Sequence, residues 1–309
     1  MVPLVLGVGI IVYQYNSFTE AQINEIKSYF KNADYFYIYL SLVIALFGFW
    51  SRAYRWKFSL QHLGYEAKFH NNFMAVCIAY LMNLTVPRSG EISRALVLKK
   101  YEKIPFDKAF GTIVAERVVD LLIFFLFVFI GFIVQFNVLK SYVLEKIPYE
   151  KLILLLILGV LGIIVFTLIW IYSNWTIVSK LKEKFSGLIE GMTSILKMKN
   201  KWAFLFHSFF IWFTYLLMFY VTIFALKETS DIGMGAVVIA FIFGSLTIGF
   251  TNSGFGFYPL VIAEIFVLYH VDKPAGIAFG WLVWTSQTIL MIALGGLSFL
   301  FLPILNRNK

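Results

Sequence analysis

Two short stretches hold the side chains best suited to chemistry in this chain. Asn83 to Arg94 reads N-L-T-V-P-R-S-G-E-I-S-R, and Ala115 to Asp120 reads A-E-R-V-V-D. Glu116 and Asp120 are four residues apart, so they share one face of a helix, with Arg117 flanking them. All three lie inside the apolar run Phe110 to Phe136. Charges at membrane depth are costly and face a bundle interior or a cavity. Arg88 and Arg94 are the nearest candidate partners. A neutral network would set Arg88, Arg94 and Arg117 against Glu91, Glu116 and Asp120. Such a network serves two ends: it locks segments together, and it offers a headgroup or proton site. Arginine suits phosphate better than lysine because its planar fork grips two oxygens.

Soluble catalytic chemistry finds little support. His62, His70, His207 and His270 are scattered without metal-ligand spacing. Walker, G-x-S-x-G and H-E-x-x-H motifs are absent. Cys77, the one cysteine, lies in an apolar run and reads as a packing residue. We therefore expect no metal, no cofactor and no enzymatic activity.

The elements that position these residues follow from composition. The 309-residue chain is 60% hydrophobic and 14% charged, with mean hydropathy +0.81. Soluble domains run nearer 25% charged. The expected fold is an all-α polytopic membrane protein of one domain, residues 1–309. A span needs roughly 20 apolar residues. Val2–Val12, Tyr35–Trp50, Phe110–Phe136, Leu152–Tyr172, Trp202–Leu226 and Ala275–Leu302 give about six full spans, the first two short.

Two apolar segments do not fit. Phe73 to Leu84 is too short to cross and ends in the charged run at Pro87 and Gly90. Ile232 to Leu268 is interrupted at T-N-S-G-F-G-F-Y-P, Thr251 to Pro259. Cations arbitrate the topology. Arg52, Arg55, Lys57 and Lys68 precede the first segment, and Arg88, Arg94, Lys99, Lys100, Lys103 and Lys108 follow it. Both flanks read as cytoplasmic, so residues of about 71–90 form a re-entrant hairpin. Lys180, Lys182, Lys184, Lys197, Lys199 and Lys201 mark another cytoplasmic loop, and Arg307 and Lys309 place the C-terminus inside. Both termini are then cytoplasmic. The second interrupted segment, about 232–270, starts and ends outside, as a re-entrant hairpin or two short spans. Trp50, Trp56, Trp170, Trp175 and Trp202 read as an interfacial belt. The net charge of +9 is met by anionic headgroups and calls for no nucleic acid.

Interrupted hydrophobic segments in two halves of a chain point to a transport site. Each break carries an Asn and a Ser-Gly: Asn83 with Ser89-Gly90, and Asn252 with Ser253-Gly254; Gly256 and Pro259 complete the second. Helix N-termini exposed there suit anions, phosphates above all. Glu264, in the apolar run after the second break, is a candidate proton carrier or amine ligand. The candidate headgroup-binding set is therefore Asn83, Arg88, Glu91, Arg94, Glu116, Arg117, Asp120, Asn252, Ser253 and Glu264. No G-x-x-x-G stripe stands out to fix an oligomeric state, and a homo-oligomer stays open.

The pattern N-x-x-x-P-R-S-G-E-x-x-R followed by E-R-V-V-D resembles the flippase-like transmembrane domain of lysylphosphatidylglycerol synthase/flippase proteins. It matches at Asn83, Pro87, Arg88, Gly90, Glu91, Arg94, Glu116, Arg117 and Asp120. A Gly-rich P-x-x-G-G-x-G motif corresponds to Asn252–Gly256, with departures: Asn252 near an expected Pro, Phe255 in a Gly place, and Pro259 for a frequent glutamate. The expected member is a stand-alone transport half without the synthase domain. The resemblance implies two re-entrant hairpins and lipid flippase or scramblase-like activity, in a bacterial or archaeal cytoplasmic membrane. It does not name the lipid. The first reading is thus a transporter of a phospholipid or other phosphate-bearing amphiphile. The alternatives are a membrane-embedded transferase on a lipid carrier, with Glu91 or Asp120 as base, and a non-transporting membrane partner.

Overall fold

The computed structural model describes residues 2–146, 149–173, 175–176, 178–179, 182 and 195–307. Lys180, Lys184 and Lys309 of the expected cytoplasmic cations lie outside these. The described residues form helices without strands: α1 (Val2–Ser17), α2 (Glu20–Asn32), α3 (Tyr35–His62), α4 (Phe69–Thr85), α5 (Ser89–Tyr101), α6 (Phe106–Val134), α7 (Phe136–Lys146), α8 (Tyr149–Tyr172), α9 (Lys201–Thr222), α10 (Met234–Phe250), α11 (Phe257–Val267) and α12 (Lys273–Leu305). Four stretches are long and apolar enough to cross a membrane: Tyr35–His62, Phe106–Val134, Lys201–Ala225 and Lys273–Leu305. The chain is an all-α polytopic membrane protein.

Hydrogen bonds show the course of the two interrupted segments. At the start of α4, Lys68 N donates to Glu102 Oε1 at 3.1 Å, and Asn71 Nδ2 donates to the same oxygen at 2.5 Å. The α4–α5 pair thus leaves and returns at one place. Asn71 and Asn306 exchange amide hydrogen bonds of 2.9 and 2.8 Å, which puts the C-terminal end of α12 there too. At the other end of α12, Gln135 lies against Gly235 and accepts from Tyr269 Oη at 3.2 Å, so the ends of the α10–α11 pair also coincide. A helix of 33 residues is roughly 50 Å long at 1.5 Å per residue. The two hairpins therefore start from opposite ends of α12.

Their breaks meet between those ends. Asn252 Nδ2 donates to Leu84 O at 3.0 Å, and Ser253 Oγ donates to Asn83 O at 3.1 Å. Trp284, near the middle of α12, donates through its indole Nε1 to Ser253 O at 2.8 Å. The turn at the second break uses left-handed backbone at Ser253, Gly254 and Gly256. Phe255, in a place the family pattern gives to Gly, avoids positive φ and packs its ring at a tilt against Trp284. Pro259 sits in the first turn of α11, where its missing N–H costs no helix bond.

Boundaries differ from the sequence reading in instructive ways. α3 does not end at Trp50 but runs on to His62, carrying Arg52 and Arg55 within the helix rather than in a cytoplasmic loop. No Gly or Pro intervenes before Gly64, so nothing stops it. The first hairpin reaches Tyr101, because α5 buries Gly90, Arg94, Ala95, Val97 and Leu98 on one face despite its charges. α1 has 16 residues and rests on the second break, with Gln14 Nε2 donating to Gly256 O at 3.3 Å. A G-x-x-x-G spacing does occur at Gly276 and Gly280. It works within the chain, where the two glycines bring α12 against Ala263 and Pro259 of α11.

A methyl group on Gly280 would run into the Pro259 backbone, whereas one on Gly296 meets open space. Overpacking of this kind costs about 1–3 kcal/mol. Gly280→Ala should lower the melting temperature in detergent, and Gly296→Ala should leave it unchanged or raise it slightly.

Candidate functional site

Five helices carry the site. On α3, Arg52, Arg55 and Trp56 are spaced three and four apart and share a face. α6 presents Glu116 and Asp120 by the same rule, and α5 presents Glu91 and Arg94. α4 supplies Tyr80 and Asn83, and α9 supplies Ser208 and Tyr215.

Asp120 lies at the centre. Arg55 Nη1 reaches its Oδ1 at 2.6 Å, and Arg52 Nη1 and Arg117 Nη1 reach Oδ2 at 3.2 and 3.4 Å. Glu116 takes Arg94 Nη1 at 2.9 Å and Arg55 Nη2 at 3.4 Å on one oxygen. Arg55 also donates to Ser208 Oγ at 3.0 Å. At the rim, Arg117 Nε meets Glu91 Oε1 at 3.4 Å. Arg52, Arg55, Arg94, Glu116 and Asp120 are all buried, Arg55 and Glu116 completely. Arg117 is nearly half exposed.

The network thus sets four guanidinium groups, Arg52, Arg55, Arg94 and Arg117, against Glu91, Glu116 and Asp120. The expected three-against-three balance does not hold, and Arg88 is not the third cation. Arg88 caps α5 in left-handed backbone, exposed at the hairpin tip, with no ion pair among the described residues. Arg52 and Arg55 take the interior place instead. A sequence reading takes an R-x-x-R run beyond an apolar stretch for an inner-face anchor. The usable signal was their spacing, which puts both on one face of a helix that nothing interrupts.

Trp56, expected at the membrane interface, is fully buried. Its ring lies 3.7 Å from the Arg94 guanidinium carbon, and its Nε1 donates to Thr112 Oγ1 at 2.9 Å. Stacking below and a carboxylate at the edge hold Arg94 in one plane. Tyr80 and Tyr215 share a 2.5 Å hydroxyl–hydroxyl hydrogen bond, and Arg52 Nη2 donates to Tyr215 Oη at 3.2 Å.

A narrow cleft of about 20 Å³ opens beside the network, lined among others by Arg52, Tyr80, Asn83, Glu91, Arg94 and Arg117. That is room for about one water. Of the sequence candidates, Glu91, Arg94, Glu116, Arg117 and Asp120 come together in the network, and Asn83 lines the cleft. Asn83 closes the tip, its Oδ1 accepting from Gly90 N at 2.8 Å. Gly90 fits because a side chain there would strike Ala79 O and the Asn83 amide. Asn252 and Ser253 bond the opposite tip. Glu264 stands apart: it is exposed and paired with Lys273 at 2.6 Å, far along α11 from the break.

Removing one member of a buried ion cluster strands the others, at about 3–5 kcal/mol. Asp120→Asn leaves Arg52, Arg55 and Arg117 facing one another. It should cost close to that range in a detergent melt. Arg117→Gln, at the half-exposed rim, should cost under about 1 kcal/mol. Equal losses in the two variants would contradict the burial gradient.

The family model described as the lysylphosphatidylglycerol synthase TM region matches residues 1–296. The chain is 27% identical over 298 residues to UPF0104 membrane protein MJ1595 of Methanocaldococcus jannaschii, covering 86% of this chain and 84% of that protein. No solved structure matches. With a match that takes in both hairpins and every charged residue of the network, this chain belongs to the lysylphosphatidylglycerol synthase TM region family.

Proposed function

We propose that this protein moves a phospholipid or other phosphate-bearing amphiphile across a cytoplasmic membrane without catalysing a reaction. The headgroup passes through the cleft beside the arginine network while the tails stay in lipid. One observation carries the reading: four guanidinium groups against three carboxylates at the depth where two hairpin tips meet. The net cluster charge of one cation is balanced by an anion. Arg52 and Arg117 border the cleft, and their forks match phosphate oxygens. Family membership supports a lipid-related role.

Lysines concentrate at the α12 end that holds the first hairpin's base, with Lys68, Lys99, Lys100, Lys103 and Lys108. That supports a cytoplasmic mouth for the α4–α5 hairpin and an outer mouth for the other. In the present conformation the tips are bonded to each other and the cleft is too small for a headgroup. Passage then requires the tips to part.

Two measurements test this. In liposomes carrying tail-labelled phospholipids, Arg117→Gln should slow headgroup translocation about tenfold to a hundredfold, the worth of a hydrogen bond to a charged group. Wild-type flux in that variant would remove the cleft from the pathway. Separately, Leu84→Cys with Ser253→Cys, in a Cys77→Ala background, can be bridged by a short reducible thiol reagent. Translocation should stop on bridging and return on reduction. Unchanged flux in the bridged protein would show that the tips need not separate.

A further inference from the structure

The cleft holds a second unbalanced group, of opposite character to the arginines. Glu91 forms its ion pair with Arg117 through Oε1, at 3.4 Å, while its Oε2 is buried and has no hydrogen-bond partner. A carboxylate oxygen withdrawn from water without a donor is costly, more so for a charged group. Native structures seldom leave such an atom unsatisfied unless something else fills the role. Glu91 lines the cleft together with Arg52 and Arg117, and its neighbours there are cation forks already directed at Asp120 and Glu116. Asn83, the other short polar side chain at that wall, spends its own carbonyl on Gly90 N. The wall therefore offers cationic forks for an anion and, one α5 residue from Gly90, an acceptor with nothing donating to it.

We infer that Glu91 selects the headgroup: the cleft takes a phosphodiester whose headgroup also carries an N–H or O–H donor, the phosphate on the Arg52–Arg117 side and the donor on Glu91 Oε2. This rests on the transport reading above and narrows its substrate class. A phosphodiester without a donor would leave Oε2 buried and unpaired in the bound state. Sites built to receive a donor reject the analogue lacking it far more strongly than apolar pockets reject a size change. The carboxylate has a second function in this scheme. With a ligand bound, Arg117 is shared between Glu91 and the phosphate, so the half-exposed rim pair is the one that rearranges as the headgroup arrives.

The experiment compares lipids that match in charge and tails and differ in donors. Liposomes hold tail-labelled phosphatidylethanolamine against phosphatidylcholine, both zwitterionic phosphodiesters, and phosphatidylglycerol against phosphatidylmethanol, both monoanions. The donor-bearing member of each pair should move about tenfold to a hundredfold faster, from one hydrogen bond to a charged acceptor. Glu91→Gln keeps the size, lets the side chain donate as well as accept, and should bring both ratios below about threefold. Equal rates within each pair for the native protein, with flux still sensitive to Arg117→Gln, would overturn the donor inference and leave the transport reading standing. Absence of flux for all four lipids would instead count against transport itself. A ratio that survives Glu91→Gln would place the selecting acceptor elsewhere and overturn the role of Glu91. Soluble glycerophosphoethanolamine should compete weakly. Full competition at equal concentration would mean that the site serves a free phosphodiester and would overturn the lipid assignment.

Discussion

Everything at the centre of this molecule follows from the need to keep charges inside an apolar bundle paired. An ion moved from water to protein interior costs several kcal/mol even after relaxation, and only close, well-oriented partners recover it. Asp120 meets that need by drawing guanidinium groups from α3 and from its own helix, α6. Glu116 does the same between α3 and α5. The two carboxylates of one helix face thereby fix where three segments cross. The apolar packing around them is consistent with this crossing: Trp56, Leu60, Ala75, Ile78, Leu98 and Ile113 form one buried cluster beside the network. An ordinary hydrophobic core would hold these helices as firmly. The charges add a preferred register, because a slip of one turn would strand at least one ion.

The hairpins follow from a second constraint, on backbone. Irregular chain at membrane depth is tolerated only where its N–H and C=O groups find partners within the protein. Each break finds those partners in the other. The carbonyls of Asn83 and Leu84, left without helical donors at the end of α4, accept from Ser253 and Asn252. The Ser253 carbonyl accepts from Trp284. Two half-length elements that would each be untenable alone become one continuous column. That column is held by side-chain hydrogen bonds of ordinary length, and these are weak enough to break. A covalently continuous helix would have no such joint.

How much of this was legible in the sequence depends on how local the signal was. The hairpins were visible because Pro87, Gly90, Gly254, Gly256 and Pro259 interrupt apolar runs, and such interruptions are local. Glu116, Arg117 and Asp120 were visible because charge stands out against their apolar surroundings. Arg52, Arg55 and Trp56 were not, since an Arg or Trp just beyond an apolar run reads as an interfacial anchor. The two arginines are buried against partners more than 60 residues away in the chain, Asp120 and Glu116, and Trp56 against Thr112 and Arg94 on other helices. Tyr80 and Tyr215 escaped for the same reason, their hydrogen bond spanning 135 residues. Arg88 shows the converse error. It has the right residue type in the right motif, but its left-handed backbone turns it to the tip and away from the network.

The relation between these two constraints bears on mechanism. The ion network anchors α3, α5 and α6 to one another, while the tip bonds join α4 to the α10–α11 hairpin. They use different atoms, and the tip contacts include none of the network's charges. Under the proposed transport, parting the tips would leave the ion pairs of Asp120 and Glu116 in place while the cleft widened. The reverse arrangement, with the charges forming the joint, would require the costliest interactions in the bundle to break in every cycle. Glu91 and Arg117 are the intermediate case. They belong to the network, lie at its half-exposed edge, and border the cleft, so solvent screening keeps their pairing cheap to exchange. A strong fixed interior with an exchangeable rim is what a site needs if it must hold an anion briefly and release it.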